Sequence, residues 1–294
     1  MENDFIMSPK VDYAFKELMQ DEQIRAGFLS AVLNIPLEEI RKTTLVDTHL
    51  RKRTAQDKLG ILDVRILLMN EVEFDLEMQV VCFKEWKKRS IYYWSKMYTE
   101  SIGEGDPYSK LRQCISISIL DFKLVEEEGE FFSCYQLCET TKHTVYTDLM
   151  KFYVIELPKL PKTMDYESSR NETSNIYLWA KFIASESEEE MEVLAKENQE
   201  INRAYQRLKV ISNDEQKRKE YEARQRAIRD ALSLEEQGIE KGIEIGQKQG
   251  VEIGQEQLNN LYSILKKEGR IDDLLRCVED REYCKQLLVE YSLG

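Results

Sequence analysis

The chain has 294 residues, 42% of them hydrophobic, which is enough for one sizeable core and an appended region. Its net charge of −13 excludes a wholly basic nucleic-acid binder, but residues 1–123 carry 18 basic against 20 acidic side chains and remain able to meet a phosphate backbone. Apolar runs such as residues 60–69 and 115–120 fall short of the roughly 18 residues a membrane span needs, and MENDFIMSPKVDYAF lacks a secretory pattern, so a cytoplasmic protein with no membrane partner is expected.

Residues 8–33 space Val11, Phe15, Leu18, Phe28, Leu29 and Val32 as two helical stretches, opened by Ser8 and Pro9 and stopped by Asn34-Ile35-Pro36. LEEIRKTTLVDTHLRKR then reads as a short helix turning into a strand. KLGILDVRILLM (58–69) and VEFDLEMQVV, joined by Asn70-Glu71, read as a two-stranded hairpin. In its second strand Phe74, Leu76, Met78 and Val80 share one face, and Asp75, Glu77 and Gln79 share the other. FKEWKKRSIYYWSKMYTESI is a helix with Phe83, Trp86, Ser90, Trp94 and Met97 on one stripe, opposite Lys88, Arg89, Tyr92 and Lys96. After the break at 103–107, CISISILDF returns as a strand and completes a βαβ unit.

Two further strands are expected before Pro158 and Pro161 close the layer near Leu160. Residues 174–232 are helical in character, with Ile176, Trp179, Ala180 and Ile183 on one face and an acidic run over 186–192. Gly238, Gly242, Gly246, Gly250 and Gly254 recur every four residues. That repeat fits either a soluble helix that packs closely on another helix or a flexible linker.

Six cysteines without CxxC spacing and only two histidines argue against a zinc site and a Ser/His/Asp scheme, so chemistry must rest on carboxylates. Asp63 and Glu77 sit side by side across the hairpin if the two strands pair at the usual spacing of about 5 Å. Two such carboxylates grip one divalent cation, and hard oxygen donors completed by the Met78 carbonyl and water suit Mg2+ or Mn2+ better than zinc. Gln79 points the same way and orients a water without acting as a base. Taken alone, the polar face fits either this site or the solvated side of a sheet.

VDYAFKELM, KLGILDVR, DLEMQV, the F-x5-R-x2-YY-x4-Y segment and YSKLRQCISISILDF, in that order, resemble the recombination-promoting nucleases, also called PD-(D/E)xK-family transposases, over about residues 8–123. The resemblance implies an α/β fold with a restriction-endonuclease-like mixed sheet flanked by helices, followed by an α-helical C-terminal region. The expected division is a nuclease domain over 1–165, a helical region over 166–234, and the glycine repeat with C-terminal helices over 235–294. DNA cleavage with Mg2+ is implied, Mn2+ and Ca2+ being further ions to test, with Asp63 and Glu77 as ligands. Gln79 stands where the broader superfamily usually has lysine, which leaves open how water is activated.

Lys88 or Arg89 is a candidate for the missing positive charge, the other reading being a solvated helix face. Asp12 and Lys16, in the D-x2-FK block, are candidates to support the site from the first helix; Asp12 equally suits a helix cap. Asp75 becomes a ligand if the register differs by two. Arg51, Lys52, Arg53, Lys84 and Lys87 are candidate DNA phosphate contacts, and Trp86 belongs to the core.

A homodimer is expected for an enzyme cutting both strands. Met191, the last methionine, is either an ordinary helix residue or an internal start giving a short C-terminal product of the same gene. The functional reading is a DNA endonuclease serving recombination, mobile elements or defence against foreign DNA. Its alternative is a weakly catalytic or non-catalytic interaction protein of the same lineage that assembles through its C-terminal helices. The transposase label itself finds no helix-turn-helix or zinc module.

Overall fold

The computed structural model describes residues 5–40, 42–50, 60–69, 71–126, 129–161 and 174–293. Two helices lead, α1 (Asp12–Met19) and α2 (Glu22–Leu33). Asp21 caps α2 by accepting the Gln23 and Ile24 amides, and Asn34, at φ 52°, ends it in the left-handed region. The buried Arg25 guanidinium donates to the Met19 carbonyl at 2.6 Å, to Gln20 at 2.9 Å and to Thr43 at 3.2 Å. One side chain thereby satisfies the end of α1 and fastens it to strand β1 (Thr43–Leu45).

Strands β2 (His49–Leu50) and β3 (Gly60–Ile61) form a separate antiparallel pair. A Cβ at Gly60 would lie 2.8 Å from Leu50 Cδ1, so any larger residue there would make the buried Leu50 side chain shift. The single strand expected over 58–69 is therefore broken within its described part. The chain bends at Leu62 and Asp63, and β4 (Val64–Leu68) begins only at Val64. Strand β5 (Val72–Gln79) pairs antiparallel with β4, helix α3 (Trp86–Glu100) crosses over, and β6 (Gln113–Leu120) returns parallel to β5. The two later strands are β7 (Phe132–Gln136) and β8 (Met150–Glu156), which pair with each other, β8 also running parallel to β6. The mixed sheet has the order β1-β4-β5-β6-β8-β7. β5 is an interior strand buried on both faces, so its polar side is not the solvated side of a sheet.

Helices α4 (Ser174–Ala184), α5 (Glu188–Glu197), α6 (Gln199–Ser212) and α7 (Glu215–Lys267) follow. The first of them pack against the sheet and the two leading helices. Phe74, Leu76 and Met78 of β5 share one buried cluster with Phe15, Phe28, Trp179, Leu208 and Tyr221. Phe28 explains why: it meets Phe15 edge-on at 5.9 Å and Trp179 at 5.6 Å, so α2 is covered on one side by α1 and on the other by α4. Helices α2 and α6 approach so closely that a Cβ on Gly27 would lie 2.5 Å from Glu200 Cβ. Met191 is buried in this core on α5.

The chain divides into two compact units, Met1–Arg229 and Asp230–Gly294. In the second, the end of α7 closes on α8 (Ile271–Glu279) and α9 (Arg281–Glu290) around Leu261, Leu265, Cys277, Cys284 and Leu287. All five repeat glycines lie inside α7, so their segment is helix rather than linker. Within this unit a Cβ at any of them would meet nothing within 4 Å, so the close helix contact expected from the repeat is not made there. Among the described residues no helix is long and apolar enough to cross a membrane.

Candidate active site

The register Val64↔Leu76 ends β4 one residue after Asp63, and continuing it sets Asp63 opposite Glu77. Two backbone amides tie the two carboxyl groups into one corner. The Asp63 amide donates to Glu77 Oε1 at 3.1 Å, and the Met78 amide donates to Asp63 Oδ2 at 3.1 Å. The bend preceding β4 makes this possible, because it frees the Asp63 amide from the ladder and turns it toward β5. Gln79 donates its side-chain amide to Glu77 Oε2 at 3.0 Å. Asp63, Glu77 and Gln79 thus share one corner of the sheet.

Asp75 and Glu77 are each 1% exposed. Burial, aided by the charge of Asp63, pushes the Asp75 carboxyl up to about 8, against the pull of Ser116, Arg89 and Arg65. Burial also holds Glu77 well above the ordinary range, reinforced by Asp75 and Asp63 and opposed by Arg89 and the Asp63 amide. Asp75 accepts from Ser116 Oγ at 3.5 Å with one oxygen, and its other oxygen is buried without a hydrogen-bond partner. Further along β5, Glu73 is satisfied by Arg65, which also reaches Glu100 at 3.0 Å. Ionisation is therefore supported by a close cation at Glu73 and opposed by burial at Asp75 and Glu77.

Cations approach the corner from two sides. Lys16 on α1 places its ammonium 2.9 Å from Asp63 Oδ1. Asp12, one turn earlier, lies 3.9 Å from that ammonium and is held by Arg224 of α7, whose Nε is 2.7 and 2.8 Å from its two oxygens. Asp12 also accepts the Tyr13 amide at 2.9 Å, so it satisfies one free N–H group in the first turn of α1, whose N-cap residue Val11 makes no side-chain bond. On the other side Arg89 comes within 3.7 Å of Glu77 Oε2. Its guanidinium lies over the rings of Phe83, Trp86 and Tyr93 at 5.1–5.6 Å, so it packs with the aromatic stripe instead of facing solvent opposite to it. Lys88 is 82% exposed, pairs with Glu85, and is not brought to the carboxylates. Lys84 and Lys87 are exposed, Trp86 is buried, and Arg51, Lys52 and Arg53 lie outside the described residues.

Arg224 lies in the stretch 174–232, where the residues alone show only helical character and an acidic run. The available signal was the spacing Tyr221, Arg224, Ile228 on α7: the two apolar residues pack on the core, and an arginine between them on the same stripe needs an anion.

Among the described residues, no three His, Cys, Asp or Glu side chains are gathered as a ready-made metal cage. The residues nevertheless fit a small hard cation. They offer two adjacent carboxyl groups and, two residues along β5 from Glu77, a buried unpartnered carboxyl oxygen on Asp75. Magnesium is commonly held by one or two carboxylates while it keeps several waters.

No curated protein and no solved structure matches the chain. The family model described as PD-(D/E)XK nuclease family transposase matches residues 9–238, a span that takes in the sheet, the carboxylate corner and the helices through the first part of α7. Nucleases of this family generally use divalent metal ions. With most of its length matched, the chain belongs to the PD-(D/E)XK nuclease family transposases.

Proposed function

We propose that the protein is a metal-dependent endonuclease that hydrolyses DNA phosphodiester bonds, with Asp63, Glu77 and the Met78 carbonyl as the ligands of Mg2+ or Mn2+. The observation that carries this reading is the pair of carboxyl groups of Asp63 and Glu77, held together by the Asp63 and Met78 amides beside the Lys16 ammonium. A divalent cation bound there supplies charge neutralisation at the scissile phosphate and makes a nearby water more acidic.

The chain's own groups do the rest. Gln79 spends its amide N–H on Glu77 and so keeps its carbonyl oxygen to accept from, and orient, the attacking water. Lys16 stands where charge grows on the phosphate and supplies the cation that Gln79 lacks. Arg89 steadies Glu77 from the opposite side, while Lys84 and Lys87, with Arg51, Lys52 and Arg53, contact the DNA backbone. Cutting both strands calls for two copies related by a two-fold axis, and a role in recombination, mobile-element movement or defence against foreign DNA follows from such breaks.

Supercoiled plasmid tests the reading. The full-length protein is expected to nick or linearise it with Mg2+ or Mn2+ and to leave it intact in EDTA. Intact plasmid with every metal, or cutting that survives EDTA, would overturn the proposal.

A further inference from the structure

Lys16 lies between two carboxylates, 2.9 Å from Asp63 and 3.9 Å from Asp12. Asp12 is on the same helix at the i,i+4 spacing and is the nearer partner in sequence. Its carboxylate is 9% exposed and needs a countercharge. Left to itself, it would draw Lys16 back along α1. Arg224 supplies that countercharge from α7, within 2.8 Å of both oxygens. The position of Arg224 is set independently of this bond: Tyr221, one turn earlier, is buried and accepts the Ser8 amide at 3.0 Å.

We infer that Arg224 is a positioning residue: by neutralising Asp12 it leaves the Lys16 ammonium to Asp63 and the scissile phosphate. The inference rests on the proposed nuclease reading for its catalytic consequence, but the competition for Lys16 exists without DNA. It assigns a role in the chemistry to the helical region beyond the sheet.

The test compares full-length wild type with Arg224→Gln, Arg224→Lys, Asp12→Asn/Arg224→Gln, and Lys16→Met with and without Arg224→Gln. Plasmid cleavage in Mg2+ gives kcat and KM, and calorimetric titration gives Mn2+ affinity in the absence of DNA. Arg224→Gln is expected to lower kcat about tenfold with KM within about twofold, because a reacting group is misplaced while the DNA contacts persist. The same change should tighten Mn2+ binding several-fold, since Lys16 withdraws from Asp63 to Asp12. Arg224→Lys keeps the charge and should stay near wild type. Removing the Asp12 charge together with Arg224 should restore kcat, and in the Lys16→Met background Arg224→Gln should leave kcat unchanged and shift Mn2+ affinity only by the smaller direct effect of its charge on Asp63.

No recovery in the double variant, or an equal effect of Arg224→Gln without Lys16, would overturn the inference. If Arg224→Gln alone unfolds, the double variant decides: activity near wild type supports the inference and loss opposes it. If wild type binds Mn2+ but cuts no DNA, the nuclease reading fails and the Mn2+ series still decides this one. Failure of wild type to bind Mn2+ counts against both.

Discussion

Glu77→Gln is expected to lower metal-dependent cleavage by about a thousandfold while leaving the melting temperature of the metal-free protein unchanged or higher. The two effects part because of what surrounds the side chain. Glu77 is 1% exposed, and burial together with Asp75 and Asp63 opposes its ionisation. A neutral amide of the same shape removes that unfavourable charge. It also keeps an oxygen to accept the Asp63 amide, and Gln79 turns its own amide to present its oxygen to the new NH2, so the bend before β4 is preserved. The lost charge matters to the metal and, more weakly, to Arg89 at 3.7 Å. Thermal melting in EDTA and plasmid cleavage in Mg2+, run on the same preparations, check both halves. A large fall in melting temperature would make Glu77 a structural residue, and retained cleavage would remove it from the site.

The second large effect concerns stability. Trp179→Ala is expected to cost about 3–5 kcal/mol of unfolding free energy, the usual penalty for truncating a fully buried tryptophan. Trp179 is 1% exposed and packs edge-on against Phe28 of α2 and Phe182 of its own helix, at 5.6 and 6.2 Å. Phe28 in turn supports Phe15, one residue before Lys16 on α1. Loosening α4 therefore reaches the helix that carries the candidate cation. Urea denaturation followed by far-ultraviolet circular dichroism measures the change. A cost below about 1 kcal/mol, the range of surface substitutions, would mean that α4 leans on the core without belonging to it.

Much of this architecture is legible in the residues. The alternation in VEFDLEMQVV places a strand with an apolar and a polar face, and the structure puts Phe74, Leu76 and Met78 into the main core as that pattern requires. The same alternation does not reveal that the polar face is buried, because that depends on how α3, the next element along the chain, folds back over it and brings Arg89 to Glu77. The pairing of Asp63 with Glu77 follows from hairpin counting, but Asp63 was placed within a strand, whereas it occupies the bend that frees its amide. Helical spacing put Arg89 opposite Trp86 and so toward solvent. Its long side chain instead turns back over three aromatic rings, which direction along the helix axis permits and spacing alone does not show.

The least legible contact is Arg224 with Asp12, residues more than two hundred positions apart in the sequence. Long charged helices such as α7 show many arginines, and only the fold singles out the one that meets a buried carboxylate. For the same reason the residues alone do not show that Trp179, Leu208 and Tyr221 share one buried cluster with α1 and α2. The family match through residue 238 agrees with that packing, since it treats the sheet and its helical cover as one inherited piece.

The central claim is that Asp63 and Glu77 together hold the metal on which cleavage depends. Its most direct test is Mn2+ binding, read by electron paramagnetic resonance on full-length wild type, Asp63→Asn and Glu77→Gln at equal protein concentration. The account predicts bound Mn2+ in wild type and its loss in each variant, with circular dichroism unchanged. Undiminished binding in either variant would contradict it.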